Sequence, residues 1–144
     1  MNESTKLILG DCREVLKEIL DNSVDLTFTS PPYADRRKNT YGGIHPDEYV
    51  EWFLPIGQEL LRVLKPDGTF ILNIKEKAEN GERHTYVIEL ILALRKQGWL
   101  WTEEFIWHKK TATLENGRIG FVMPGNGCFS STKRDASRCF KKRL

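Results

Sequence analysis

Short apolar runs alternate along this chain with stripes of apolar residues at helical spacing, and the alternation predicts its elements. Residues 6–9 (KLIL) form an apolar run closed by Gly10 and Asp11, which predicts a buried strand that ends at a turn. Val15, Leu16, Ile19 and Leu20 then recur at helical spacing, so a helix follows, with Asp11 available as its N-cap and Asn22 near its end. Residues 24–29 (VDLTFT) predict the next strand, and Pro31 and Pro32 stand directly beyond it. Residues 34–44 (ADRRKNTYGGI) are polar, basic and glycine-containing, as a surface loop is.

Pro46 suits the first turn of a helix, and Tyr49, Trp52, Phe53, Ile56, Leu60, Leu61 and Leu64 continue from it as one stripe. Pro66, Asp67 and Gly68 predict a turn that stops this helix. Residues 69–74 (TFILNI) are a near-continuous β run and predict a central strand covered on both faces. Beyond the polar turn KEKAENGE, a second helix turns Val87, Ile88, Ile91, Leu92 and Leu94 inward and stops at Gly98. Residues 99–107 alternate enough for one more strand, and after Lys110 the pattern weakens into glycines, a Met123-Pro124 step and a basic tail. Strands alternating with helices predict an α/β domain on a largely parallel sheet, in which ligands sit beyond the carboxyl ends of the strands. Gly10-Asp11 and residues 30–33 (SPPY) both fall at that edge and are candidate site elements.

A length of 144 residues suits one domain, and 40 % hydrophobic against 29 % charged residues excludes the disordered and fibrous classes. The longest apolar stretches, such as residues 87–94, are short and interrupted by Glu89, so no membrane span is expected. MNESTK lacks an apolar segment and is not read as a signal peptide, which leaves the cytoplasm as the expected address. Cys12, Cys128 and Cys139 form no CxxC pair, so reduced thiols are expected rather than a disulfide framework or a metal site. Net charge is only +2, yet Arg36, Arg37 and Lys38 cluster after the prolines, and residues 133–144 set six Lys or Arg against Asp135 alone. Two such patches suit a polyanion partner, or else a solvated loop and tail.

Two adjacent prolines hold two φ angles and remove two N–H donors, and each pushes the residue before it into extended conformation. Carbonyl acceptors are left at the sheet edge without neighbouring donors. With the Ser30 hydroxyl before them and the Tyr33 ring after them, they make a receptor for a planar molecule bearing an NH2 group. The exocyclic amine of a nucleobase is a poor nucleophile, because its lone pair is delocalised into the ring. Accepting both amino hydrogens draws the nitrogen toward tetrahedral geometry and localises that lone pair for in-line attack on an activated methyl group. Such a base must first leave the duplex, where stacking hides its amino group.

SPPY after an apolar strand closely resembles the catalytic motif of the amino-methylating DNA methyltransferases of restriction-modification systems, which act on cytosine N4 or adenine N6 with S-adenosylmethionine. ILGDCREVL before that strand, the helix ending in LRVLKPDG, the strand GTFILNI and IWHKK after the last strand are similar to the same family's permuted, beta-type order. The resemblance implies an α/β fold with a partial Rossmann-like methyltransferase sheet, mostly parallel, with helices on both faces. It divides the chain into a catalytic half, residues 1–110, and the start of a target-recognition region, residues 111–144, whose basic tail need not be well ordered. It implies that Ser30, Pro31, Pro32 and Tyr33 carry catalysis: Ser30 by hydrogen bonding, the prolines by their carbonyls and rigidity, and Tyr33 by stacking on the flipped base. Asp11 resembles the acidic residue that contacts the cofactor adenine, with the Cys12 backbone and Thr29 beside it, while a helix N-cap is its competing reading. Arg36, Arg37, Lys38 and Lys109 are the implied contacts to double-stranded DNA, and His108 is open between a base-pocket neighbour and a surface or core residue. In this family a Ser before the double proline goes more often with cytosine N4 and an Asp with adenine N6, so Ser30 favours cytosine, with adenine as the alternative.

The family also carries a glycine-rich motif of the kind DPFxGSG, which bends the backbone around the methionine half of the cofactor, and no segment here matches it. Residues 125–127 (GNG) have neither a clear strand before them nor a helix after them. A truncated or split enzyme is therefore expected, needing a complementary polypeptide with that motif and binding S-adenosylmethionine weakly or not at all by itself. A half-sheet would also leave an edge to be covered. A DNA-binding remnant without catalysis is the competing reading. Enzymes acting on RNA or glutamine side chains also carry PPY loops, but their motif usually begins with Asn.

Overall fold

The computed structural model describes residues 5–34, 43–108 and 134–142. A short helix α1 (Cys12–Val15) runs into a single 3-10 turn (Leu16–Glu18), followed by strand β1 (Val24–Thr29). Helix α2 (Pro46–Val63) passes directly into β2 (Leu64–Ile74). A small hairpin of β3 (Ala78–Glu79) and β4 (Glu82–Arg83) leads to helix α3 (Tyr86–Gln97), β5 (Trp99–His108) and, farther along, β6 (Arg134–Lys142).

α2 forms where the stripe predicts it. His45 caps it by accepting from the Asp47 N–H, Pro46 takes the first position, and Asp47 and Glu48 put negative charge on the positive end of the helix dipole. Its inner face buries Tyr49, Phe53, Ile56, Leu60 and Val63. α3 buries Tyr86, Val87, Leu90, Ile91 and Leu94 and stops at Gly98, whose φ of 110° only glycine adopts without strain. The two helices pack against each other and against the side of the sheet that carries Phe70, Leu72 and Ile74. Each of these buried side chains contributes roughly 1.5–3 kcal/mol by leaving water.

The sheet order is β1-β2-β6-β5. β1 and β2 pair in parallel, while β6 runs antiparallel to both β2 and β5, so β1, β2 and β5 point one way and only β6 is reversed. The helices expected on both faces are met on one face among the described residues. On the other, Leu26 and Phe28 remain 56 % and 59 % exposed.

Four expectations are corrected. Residues 6–9 are not paired into a sheet, and Leu7 and Leu9 are almost fully exposed, because a strand needs a neighbour and none of the described residues pairs with this segment. The helix expected to run toward Asn22 stops after Glu18. The Leu16 carbonyl closes a tight 3-10 turn by accepting from the Ile19 N–H at 3.1 Å, and the Arg62 guanidinium takes the Leu16 and Ile19 carbonyls at 2.8 and 2.9 Å, satisfying the end of the turn. Pro66, Asp67 and Gly68 do not separate helix from strand but lie within β2, where they displace its register against β1 between Val24 and Leu26. Finally, residues 134–142, read as part of a basic tail, form a strand between β2 and β5. Phe140 drives this: it is fully buried, 5.7 Å from the Phe70 ring and 6.3 Å from Trp99. One aromatic among charges has no periodicity, so the sequence pattern is silent there.

Candidate active site

β1 delivers Ser30 to the carboxyl edge of the sheet, as the alternation predicts. The last paired residues are Thr29 and Leu72, so Ser30 comes to lie beside Asn73 of β2. The Asn73 amide donates to Ser30 Oγ at 3.4 Å, and Ser30 Oγ is also 3.4 Å from the Tyr33 hydroxyl. Both bonds are at the long end of the range, so the hydroxyl is held by two weak partners and can turn to a third. Asn73 is only 7 % exposed, and its Oδ1 is buried without a partner among the described residues.

Pro31 and Ala34 are buried, Pro32 and Tyr33 half-buried, and Ser30 exposed. The two proline carbonyls are not equivalent. The Tyr49 hydroxyl, from the first turn of α2, donates to the Pro32 carbonyl at 2.7 Å. No described residue donates to the Pro31 carbonyl. Of the acceptors expected from the double proline, one is therefore already taken from inside, and the one nearer Ser30 has no donor among the described residues. Burial pushes the Tyr49 phenol well above its ordinary pKa, with the neighbouring Tyr86 and Tyr33 rings adding to the effect, so it stays a protonated donor.

Asp11 is the N-cap of α1 and accepts from the Arg13 N–H at 2.9 Å, so the capping reading holds. Its carboxylate also takes the Arg13 guanidinium at 2.6 Å. Hydrogen bonds from the Arg13 side chain and backbone hold the Asp11 pKa down to about 2. Cys12 is an exposed free thiol and Thr29 is half-buried. Every polar partner of Asp11 comes from its own turn, and none from residues 30–33. Arg36, Arg37, Lys38 and Lys109 lie outside the described residues, as do residues 125–127; His108 is described only as the last residue of β5. Among the described residues no cluster of His, Cys, Asp or Glu could hold a metal ion, and no helix is long and apolar enough to cross a membrane.

Sequence reasoning missed Asn73 and Tyr49. A faint signal exists for each: Asn73 is the lone amide in the apolar run TFILNI, and Tyr49 brings a hydroxyl to a stripe otherwise made of apolar and indole side chains.

A family model described as DNA methylase matches residues 24–138. The type II methyltransferase M.PvuII of Proteus hauseri is 34 % identical over 104 residues, covering 70 % of this chain and 31 % of that protein. The solved structure of PvuII DNA methyltransferase (cytosine-N4-specific) superposes with a TM-score of 0.70 at 25 % identity, over 92 % of this chain and 47 % of that one. A Thermus thermophilus protein solved in complex with S-adenosyl-L-methionine shares the fold, with a TM-score of 0.66 at 22 % identity over 94 % of this chain and 52 % of that one. The chain thus spans about a third of the curated M.PvuII sequence and about half of either solved structure.

Proposed function

The chain belongs to the DNA methylase family, and from that premise we propose that it is the base-gripping half of an enzyme that methylates the exocyclic amino group of a DNA base, cytosine N4 first among them. The observation that carries the reading is the Ser30–Asn73–Tyr33 cluster beside the Pro31 carbonyl, which accepts from no described residue, at the carboxyl edge of β1. Ser30 Oγ and the Pro31 carbonyl can accept the two amino hydrogens of an extruded base, while the Tyr33 ring stacks on its face. Drawing on both hydrogens localises the nitrogen lone pair and aims it; the residues supply position and oriented dipoles, not a covalent intermediate. Ser30 before the double proline supports cytosine over adenine, as does the likeness to the cytosine-specific PvuII enzyme.

S-adenosylmethionine would supply an electrophilic methyl group on a sulfonium. The residues present fit its adenosine end. Asp11 offers an exposed carboxylate that stays ionised down to about pH 2, an acceptor for hydroxyl and amino donors, with Cys12 and Thr29 as its neighbours in this role. For the methionine end the sequence has no glycine-rich loop. A second segment would carry it, and the exposed Leu26 and Phe28 on the open face of the sheet, with Leu7 and Leu9 before α1, support such a segment packing there. Double-stranded DNA is the partner expected for Arg36, Arg37, Lys38 and Lys109.

The test is product identity. The chain assembled with a glycine-rich methyltransferase segment is incubated with duplex DNA and labelled S-adenosylmethionine, and the digested nucleosides are resolved by mass spectrometry. N4-methylcytosine is expected; N6-methyladenine would shift the target, and DNA binding without any methylated base would leave a binding remnant.

A further inference from the structure

Beneath the candidate site lies a pair of buried tyrosines, Tyr49 and Tyr86, to which the proposed chemistry assigns no part. Thr29 of β1 faces Leu72 of β2, so Pro32 and Lys75 each stand three residues past the same rung of the sheet. The Tyr49 hydroxyl donates to the Pro32 carbonyl and the Tyr86 hydroxyl donates to the Lys75 carbonyl. Both tyrosines are completely buried, and their rings meet at 4.8 Å with a 58° tilt. Tyr49 sits in the first turn of α2 and Tyr86 opens α3. Those two helix starts are themselves tied: His84 Nε2 lies 2.9 Å from Asp47 Oδ1, and His84 Nδ1 accepts from the Tyr86 N–H at 3.1 Å.

We propose that Tyr49, braced by Tyr86, is a positioning residue that decides which proline carbonyl of the SPPY loop is offered to the substrate amino group. The inference rests on the functional reading above. A loop containing two prolines has lost the N–H groups with which loops usually tie themselves down. The Tyr49 O–H replaces them from below, at the second proline only. Occupied from inside, the Pro32 carbonyl is withdrawn from the ligand; the Pro31 carbonyl, one peptide closer to Ser30, is left. Because Tyr86 fastens the equivalent point after β2, the loops flanking Ser30 and Asn73 are held at one spacing by the Tyr49–Tyr86 ring contact together with the His84–Asp47 tie. In-line attack is sensitive to displacements of about 1 Å, which can cost on the order of 10²-fold in rate. Neither tyrosine touches the reacting atoms.

Tyr49→Phe keeps the ring, its contact with Tyr86 and its contact with Trp52, and deletes only the O–H. In the assembled methyltransferase we expect kcat to fall roughly 10- to 100-fold, with KM for DNA and for S-adenosylmethionine nearly unchanged and the thermal midpoint close to wild type. Carbonyl-13C NMR of proline-labelled protein should show the Pro32 signal moving upfield in Tyr49→Phe and staying put in Tyr86→Phe. Tyr86→Phe should lower kcat less. An unchanged Pro32 signal, an unchanged kcat, or a kcat loss no larger than the loss of folded protein would overturn the proposal. A wild-type assembly that methylates no DNA base would instead overturn the functional reading, and the proposal with it.

Discussion

The loop that follows β1 holds the candidate catalytic residues and the turn that opens α1 holds Asp11, the candidate cofactor carboxylate, and the two are supported in opposite ways. Ser30 to Tyr33 rest on buried groups from distant elements: Asn73 of β2, Tyr49 of α2 and, through it, Tyr86 of α3. Asp11 rests on Arg13, two residues away, and the two side chains remain 45 % and 53 % exposed. Long-range support is made once, when the core closes, and then holds its geometry; local, solvated support is weak and easily rearranged. The grip proposed for the base is thus preorganised by the fold, whereas the one for the cofactor is only begun.

The strongest way to break this contrast is to undercut the loop from the core. Leu72, fully buried and paired with Thr29, should cost about 2–5 kcal/mol of stability on truncation to Ala. Denaturant unfolding of the assembled protein measures it, and a loss under about 1 kcal/mol would mean that β2 is not the loop's foundation. Next in size is chemistry at the loop itself. Ser30→Ala should reduce methyl transfer on the order of 10²-fold while DNA affinity changes little, as removal of one oriented hydrogen-bonding group does. Full activity in that variant would show that the Pro31 carbonyl suffices alone.

The smallest effect belongs to the Asp11 turn. Its carboxyl carbon should titrate with a midpoint of about 2, and Arg13→Ala should return it toward 3.8. Because the folded-state pKa is depressed, the ionised form favours the capped turn. That contribution is complete above about pH 3.8 and disappears as pH falls toward 2. A midpoint near 3.8 in the unmodified protein would show that Arg13 does not engage the cap in solution.

Much of this was legible in the sequence, though unevenly. α2, α3, β1 and β5 follow patterns that each segment carries within itself: apolar spacing, Pro46 at a helix start, Gly98 at a helix end. The SPPY motif was legible for the same reason, since the stiffness of two prolines is local chemistry. Residues 6–9 misled because an apolar run reports a wish for burial and says nothing of whether a neighbour is present. Phe140 was invisible because its burial depends on Phe70 and Trp99, both far away in sequence.

By itself, then, the sequence determined α2, α3, the strands β1 and β5 with the core of β2, and the identity of the residues at the end of β1, because these depend on interactions a few residues apart. Only the tertiary structure decided that β6 is threaded between β2 and β5, that Asn73 comes beside Ser30, and that Tyr49 claims one proline carbonyl and leaves the other. Those outcomes depend on strand register and helix docking, which pair residues dozens of positions apart, and no local pattern encodes which buried hydroxyl will meet which carbonyl.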